Sequence, residues 1–534
     1  MYRLLVGEVA GQRGELDTSI TYIMSTFEQI ADPQIADHAT QIAIYAQDYA
    51  AAYTAAKRWV ELAPEDAEAN RTMAFLSLQQ GHTDETAVYL RRVLGEYADD
   101  NQQGFLVIAS LLGREIQGQS KAEPALQLMR DLVAETPGNP YAHFAYGNLA
   151  SVFGRWQTAK DELNTSLSLQ PDHVPSLILH ARVLRELGET EAGIKELSQA
   201  VQRHPEDNHL RLAYARMLLS ANRYPEARVQ YEVLLGDMPN DPDLLYTLAL
   251  LNLDMDETDK ADTYFQRLRQ TGSRTAEANY YLGRIAEIRR QYEAAIQSYS
   301  RIDRGEYRLD AQIRIGHLLG NLDRLDDARK HFGSLREQNT NAATRTRLYL
   351  EEAMLLDGGG HNEQAIELLS EGLAEFPGNT DLLYTRGLSY DKVGRLDLLE
   401  RDMLSILARE PGNADALNTL GYTLANRTER YQEAYDFIQQ AIALKPDNAA
   451  IIDSMGWVLY RMGRHEESLK YLKRALALQF DTEIAAHLSE VLWVAGDRPG
   501  AESVLRNALE KEPKDPKLLN VMNQLHNGQV SKTP

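Results

Sequence analysis

The sequence repeats itself with a period of about 34 residues, and this period strongly limits how a chain of 534 residues can fold. Gly421 and Gly456 are each followed by an aromatic residue and, about twelve positions later, by another small residue, Ala434 or Ser468. We call the recurring small residues the landmark residues. They are Gly7, Thr40, Ala74, Ala109, Gly147, Ala181, Ala215, Ala249, Gly283, Gly316, Ala353, Gly387, Gly421, Gly456 and Ser489. Because a short unit cannot bury its apolar face alone, the pattern indicates an array of stacked units.

Each unit has the pattern of a helical hairpin. Four residues after the second small residue comes a large one, so both lie on the same face of a helix. Examples are Tyr231, Phe265, Tyr299, Phe332, Leu369, Met403, Ile438 and Leu472. Proline two residues before Asp or Asn predicts the end of one helix and the cap of the next. The predicted caps are Asp66, Asn139, Asp207, Asp241, Asn379, Asn413, Asn448 and Asp515.

Glycines predict the turn inside many hairpins, because helices often end at a glycine. They are Gly14, Gly81, Gly154, Gly188, Gly360, Gly394, Gly463 and Gly496. No strand precedes the Gly358–Gly360 run, so we interpret it as a turn and not as a phosphate-binding loop.

Composition excludes several functions. The net charge of −22 comes without any Lys/Arg-rich run, which makes nucleic acid a poor partner. The acidic surface either serves solubility alone or favours a basic partner. Cysteine is absent, so disulfides, thiolate metal sites and cysteine nucleophiles are excluded, and no apolar run is long enough to span a bilayer.

No motif for catalysis occurs, and we expect neither a cofactor nor a metal. Metalloprotease, esterase and phosphate-loop motifs are all missing, and the 13 histidines are scattered. His487 and Glu490 lie three residues apart on a predicted helix, but the sequence suggests no third ligand. We therefore predict that the chain is not an enzyme.

The unit resembles the tetratricopeptide repeat (TPR), because Gly456, Gly463, Ser468, Leu472, Ala475 and Leu476 fall on its consensus positions in order. The resemblance implies an all-α fold in which tandem TPR hairpins stack into a right-handed superhelical solenoid. We expect about fifteen hairpins over residues 1–513, a capping helix over 514–527 and a disordered tail over 528–534.

A solenoid of this kind binds other polypeptides along a groove lined by the first helix of each hairpin. The resemblance puts groove residues three before, one after and four after each landmark residue. Near the C-terminus this rule predicts a candidate protein-binding groove. It comprises Asn418, Tyr422, Asp453, Trp457, Tyr460, Glu490 and Trp493. Aromatic side chains among polar ones are typical interface anchors, although the two tryptophans could instead fill space between hairpins.

The two C-terminal repeats and the segments LLVGEVAGQRGELDTSITYI and DPQIADHATQIAIYA also resemble a proteobacterial family of long TPR lipoproteins. The resemblance implies a lipoprotein at the periplasmic face of the outer membrane. It further implies an adaptor that binds and activates a carboxyl-terminal processing serine protease and presents cell-wall hydrolases to it. Since the signal peptide and lipid-bearing cysteine are absent, we interpret the sequence as a soluble, truncated form.

Two other hypotheses remain open. One is an assembly scaffold for an outer-membrane or export complex that works without a protease. The other is an enzyme or regulator with its activity in the groove. Co-purifying partners would distinguish the first two, because only the adaptor requires a protease.

Overall fold

The computed structural model describes residues 2–27, 30–113 and 122–526, and their regular elements are all α-helices. Helix contacts divide the chain into two compact units, residues 1–273 and 274–534. Unit 1 contains α1 (Tyr2–Gln12), α2 (Leu16–Phe27), α3 (Pro33–Tyr45), α4 (Tyr49–Leu62), α5 (Ala67–Gln79), α6 (Thr83–Glu96), α7 (Asn101–Gly113), α8 (Ala122–Glu135), α9 (Pro140–Val152), α10 (Trp156–Leu169), α11 (Val174–Glu186), α12 (Thr190–Arg203), α13 (Asn208–Ser220), α14 (Tyr224–Asp237), α15 (Pro242–Asp254) and α16 (Thr258–Gln270).

Unit 2 continues the series of short helices. It contains α17 (Thr275–Ile288), α18 (Tyr292–Tyr299), α19 (Tyr307–Asn321), α20 (Leu325–Gln338), α21 (Ala342–Gly358), α22 (Asn362–Glu375), α23 (Thr380–Lys392), α24 (Leu396–Arg409), α25 (Ala414–Arg427), α26 (Tyr431–Leu444), α27 (Ala449–Arg461), α28 (His465–Leu478), α29 (Thr482–Val494), α30 (Arg498–Lys511) and α31 (Pro516–His526). Each odd-numbered helix packs on the even-numbered helix that follows it as a hairpin, except that α7 packs mainly on α9 and only slightly on α8, and each hairpin packs on the next within its unit. The prediction of an all-α fold of stacked hairpins is confirmed.

The landmark residues lie on the first helix of each hairpin, and each one is buried. The large residues predicted to pack beside them, from Tyr231 to Leu472, are buried on the second helices. At Gly456 the approach is so close that the Ser468 hydroxyl of α28 donates a 2.7 Å hydrogen bond to the Gly456 carbonyl of α27. The predicted packing between small and large residues is therefore confirmed.

The predicted helix ends are also confirmed. Each of the eight Asp and Asn caps accepts a hydrogen bond from a backbone N–H in the first turn of its helix. Each of the eight predicted turn glycines has a positive φ, between 67° and 94°. These local signals determine where the helices begin and end.

Two features of the chain do not belong to these confirmed predictions. The unit boundary between Ser273 and Arg274 was not predicted, because the 34-residue spacing of Ala249 and Gly283 continues across it. The tail predicted over residues 528–534 lies outside the described residues.

We predict that Gly421→Ala destabilises unit 2 by about 1–3 kcal/mol, because a larger side chain overpacks a close helix crossing. A Cβ at Gly421 would lie 2.5 Å from Ile438 Cγ1 and 3.0 Å from the backbone oxygen of Ala434, which cannot move aside easily. Chemical denaturation followed by circular dichroism measures the change.

The matched control is Gly333→Ala, in the interior of α20 of the same unit. The nearest heavy atom to its added Cβ is 3.9 Å away, so we expect a gain of up to about 1 kcal/mol from helix propensity. Equal effects of the two substitutions would contradict the close-approach explanation.

Candidate protein-binding surface

The first helices define one face of each unit, which we call the inner face. In unit 2 the first helices of consecutive hairpins, such as α25 with α27 and α27 with α29, lie closer together than the second helices do. A stack that is tighter on one side curves toward that side. The first helices therefore lie on the concave side of unit 2, where the repeat pattern predicts the groove.

The inner face holds solvent-open cavities in both units. A cavity of about 600 Å³ lies among α3, α5 and α7 of unit 1, and one of about 230 Å³ lies among α25, α27 and α29 of unit 2. The first is lined by residues that the positional rule selects, namely Gln41, Ile44, Arg71, Phe75, Leu106 and Ser110. In the second cavity, the lining residues that the positional rule selects are Asn418, Tyr422 and Asp453. The rule therefore identifies cavity-lining positions far beyond the segment for which it was used.

The seven candidate residues lie on α25, α27 and α29 of unit 2. Three of them, Tyr422, Asp453 and Trp457, lie around one buried histidine, His487 of α29. Its Nδ1 lies 2.9 Å from Asp453 Oδ2, and its ring stacks on Trp457 with 4.1 Å between centroids and 23° between planes. The centroid of the Tyr422 ring lies 6.2 Å from that of His487. His487 therefore links α25, α27 and α29.

Two tyrosines extend this cluster. The Tyr422 hydroxyl donates to Glu483 Oε1 at 2.8 Å, and the other oxygen of Glu483 accepts a hydrogen bond from Lys517 Nζ of α31. The Tyr460 hydroxyl donates to Glu490 Oε1 at 3.1 Å. The last helix of the unit is thereby tied into the same polar network.

Burial and charge shift the pKa values of this network. Burial lowers the pKa of His487, but the charges of Asp453, Glu483 and Glu490 outweigh it, and the net pKa lies above the ordinary value. Burial raises the pKa of Glu490 despite its hydrogen bond from Tyr460. Burial likewise raises the pKa of Glu483, yet the Lys517 ammonium and the Tyr422 hydroxyl more than compensate, so its pKa is lowered. Burial, with the Glu483 charge, also raises the pKa of Tyr422.

Trp457 and Tyr460 are buried, at 8% and 6% exposure. Both belong to the hydrophobic core that joins the last hairpins, which matches the space-filling alternative more closely than an open row of anchors. Trp493 is half-buried against the same core, and the Arg498 guanidinium lies 4.9 Å from its ring centre. The accessible part of the candidate groove is the polar cavity beside these aromatics, and partner binding there stays a prediction.

Three buried polar atoms of the seven candidate residues have no hydrogen-bond partner among the described residues. They are Asn418 Oδ1, Asp453 Oδ1 and Trp457 Nε1. Asn418 and Asp453 both line the 230 Å³ cavity. Two of the unmatched atoms are acceptors, so a hydrogen-bond donor is what this cavity lacks.

Sequence reasoning missed the roles of His487, Glu483 and Lys517. A signal existed for His487, because it follows Asp453 by 34 residues, one repeat length, and adjacent first helices bring such residues together. Within residues 2–27, 30–113 and 122–526, no group of three or more His, Asp or Glu residues is placed to hold a metal. No helix in the same ranges is long and apolar enough to cross a membrane.

The fold and this inner face define a helical-repeat scaffold. TPR models match residues 178–242, 246–308 and 454–516, and a further TPR model matches residues 412–479. The chain is 34% identical to a TPR repeat-containing protein of Pseudomonas aeruginosa over 490 residues, which are 92% of this chain and 82% of that protein. The chain belongs to this family of TPR repeat-containing proteins, and TPR repeats indicate a protein-binding scaffold.

The chain also has lower similarity to one further relative and to two solved structures. Cellulose synthase operon protein C of Pseudomonas fluorescens is 23% identical over 418 residues, which are 75% of this chain and 31% of that protein. A structure of Naa15/Naa10 bound to HypK-THB gives a TM-score of 0.38 at 15% identity and covers 74% of this chain and 67% of that one. A thermophilic TPR protein of Thermus thermophilus gives a TM-score of 0.32 at 23% identity, with 35% of this chain and 100% of that one covered.

We predict that the pKa of His487 lies above 6.5 in the folded chain and falls below it in Asp453→Asn. Without the Asp453 charge, burial of the imidazole becomes the dominant effect. Groups facing His487 are Asp453 and Trp457 from α27, Tyr422 from α25, and Glu483 and Glu490 from α29. NMR titration of histidine-labelled protein measures both pKa values.

The raised pKa also makes stability depend on pH. The contribution of the pair is fully present below the unfolded pKa of about 6.5 and is lost as pH rises through the folded pKa. Glu466→Gln, which removes an exposed charge from α28, is the control and should leave the His487 titration unchanged. If the pKa of His487 is the same in Asp453→Asn as in the unchanged chain, the Asp453–His487 pair is not charged.

Proposed function

We propose that this protein is a non-catalytic adaptor that binds and activates a periplasmic carboxyl-terminal processing serine protease and presents cell-wall hydrolases to it. The observation that carries the proposal is the inner face of each unit. Solvent-open cavities lie there between consecutive first helices in both units. Such a face can hold polypeptide segments at several places along the chain.

An adaptor of this kind acts through effective concentration. Two units, each with its own inner face, offer separate places for a protease and its substrate. Binding both at once turns an encounter in solution into an intramolecular one and raises the cleavage rate without a new catalytic group. The proposal therefore assigns no step of the chemistry to this chain.

The protease itself is suggested by the resemblance of the terminal segments to the long TPR lipoproteins. Similarity to the Pseudomonas aeruginosa TPR protein over 92% of the chain supports membership in a family of this length. The proposal places the natural protein at the periplasmic face of the outer membrane through a lipid anchor. The anchor requires a cysteine outside these 534 residues, since the sequence has none.

A second candidate is an assembly scaffold for an export or outer-membrane complex. The relative whose name associates it with a cellulose synthase operon favours this alternative. The chain spans 31% of that relative, however, so most of that protein has no counterpart here.

We predict that the chain, tagged and produced in its native periplasm with a signal and lipidated cysteine, co-purifies with a carboxyl-terminal processing protease and cell-wall hydrolases. Mass spectrometry identifies the partners. An equally acidic, unrelated periplasmic protein with the same tag is the control for charge-driven capture. Export components without a protease would overturn the adaptor proposal in favour of the assembly scaffold.

A reconstitution tests activation directly. With purified protease and hydrolase at low concentration, one equivalent of the chain should raise the cleavage rate by about a hundredfold, the low end of the gain that linked binding provides. The rise should saturate near equimolar chain and fall at large excess, when protease and substrate occupy different copies. A rate independent of the chain would refute activation.

A further inference from the structure

The 230 Å³ cavity of unit 2 is acidic. Its charged lining residues are Asp453, Asp481 and Glu483, and all three are carboxylates. Their direct cationic partners are His487, which pairs with Asp453, and Lys517, which pairs with Glu483. Even with His487 protonated, the three carboxylates exceed these two cations by one negative charge, and Asp481 accepts only backbone hydrogen bonds as the N-cap of α29. A ligand that brings one positive charge would neutralise the site.

The cavity also contains acceptors that lack a donor. Asp453 is 5% exposed, and its Oδ2 contacts His487 while its Oδ1 has no hydrogen-bond partner among the described residues. Asn418 Oδ1, on the neighbouring first helix α25, is also buried and has no hydrogen-bond partner among the described residues. A buried acceptor without a donor costs stability, so this arrangement is strongly improved by a ligand that donates to both atoms.

A primary ammonium group fits these requirements best. It carries three N–H donors that point in different directions and one positive charge. The two acceptors belong to separate helices, α25 and α27, rather than to one planar carboxylate pair, so the rigid fork of a guanidinium gains little here. Ala449, Ala450 and Ile484 also line the cavity and offer apolar contact to the methylenes of an amine side chain.

We propose that this cavity binds a primary ammonium group of a partner protein, either a lysine side chain or a chain N-terminus, with Asp453 and Asn418 accepting its hydrogen bonds. This inference rests on the proposed protein-binding function, because it assigns a partner residue to the inner face. It agrees with the net charge of −22, which favours basic partner segments.

Isothermal titration calorimetry of the full chain tests the site with small probes. Nα-acetyl-lysine methylamide carries the side-chain ammonium, norleucine amide carries only the α-ammonium, and Nα-acetyl-norleucine methylamide carries neither. We expect saturable binding of one or both of the first two probes and none of the third. Which of the first two binds distinguishes a lysine from a chain N-terminus.

Three variants locate the binding. Asp453→Asn should weaken it by about tenfold or more, since it removes a charge-assisted hydrogen bond. Glu466→Gln removes the same charge from the exposed surface of α28 and should leave affinity unchanged. Asn418→Lys supplies its own ammonium, so we expect it to abolish probe binding and raise the melting temperature. This variant keeps the test informative if Asp453→Asn fails to fold.

Several results would overturn the inference. They are equal binding of Nα-acetyl-arginine methylamide, no saturation by either ammonium probe, or unchanged affinity in both cavity variants. The probes need no partner protein, so their failure leaves the adaptor proposal standing. Conversely, saturable probe binding with no protease recovered from the periplasm would retain the ammonium site and reject the protease.

Discussion

The close contact between the two helices of each hairpin is the constraint on which the rest of this structure depends. At Gly456 the Ser468 hydroxyl reaches the backbone carbonyl of the facing helix, which is possible only because neither residue has a large side chain. A Cβ at Gly456 would lie 2.5 Å from Leu472 Cγ. The small residue lets the helices touch, and the large one four positions along fills the space beside the crossing.

Close hairpins bring consecutive first helices together, and this contact builds the inner face. Residues about one repeat apart then meet across neighbouring helices, as His487 meets Asp453 and Glu490 meets Tyr460. His317 and Glu351 form the same kind of pair at 2.9 Å in earlier hairpins of unit 2. The repeat period that produces the stacked hairpins thus also places polar side chains of neighbouring first helices opposite one another. At α25, α27 and α29 this register leaves two acceptors without donors, which is where we locate partner binding.

Much of the fold could be predicted from the sequence because its signals are local. The Asp and Asn caps and the turn glycines act within a few residues, and the landmark residues act within one hairpin, as Gly456 does on Ser468 and Leu472; the structure confirms all three signals. The boundary after Ser273 has no such signal, since it reflects how contacts are distributed over many hairpins. The sequence could predict which residues line the inner face, but it could not predict which residues they contact.

The candidate site shows why contacts were harder to predict. The sequence left two roles open for Trp457, an interface anchor or a residue that fills space between hairpins, because its stacking on His487 and its burial in the core depend on the neighbouring hairpin. Lys517 joins the network from α31, which follows the last repeat and packs on α29. The unpartnered Asn418 and Asp453 oxygens become visible only when every neighbouring donor has been located.

Hydrogen–deuterium exchange of the chain, alone and saturated with its co-purified partner, tests the central claim most directly. If the inner face carries the partner, exchange slows in the first helices, including α25, α27 and α29, while α26, α28 and α30 exchange as before. Protection confined to the second helices would contradict the account, because it would place binding on the opposite face.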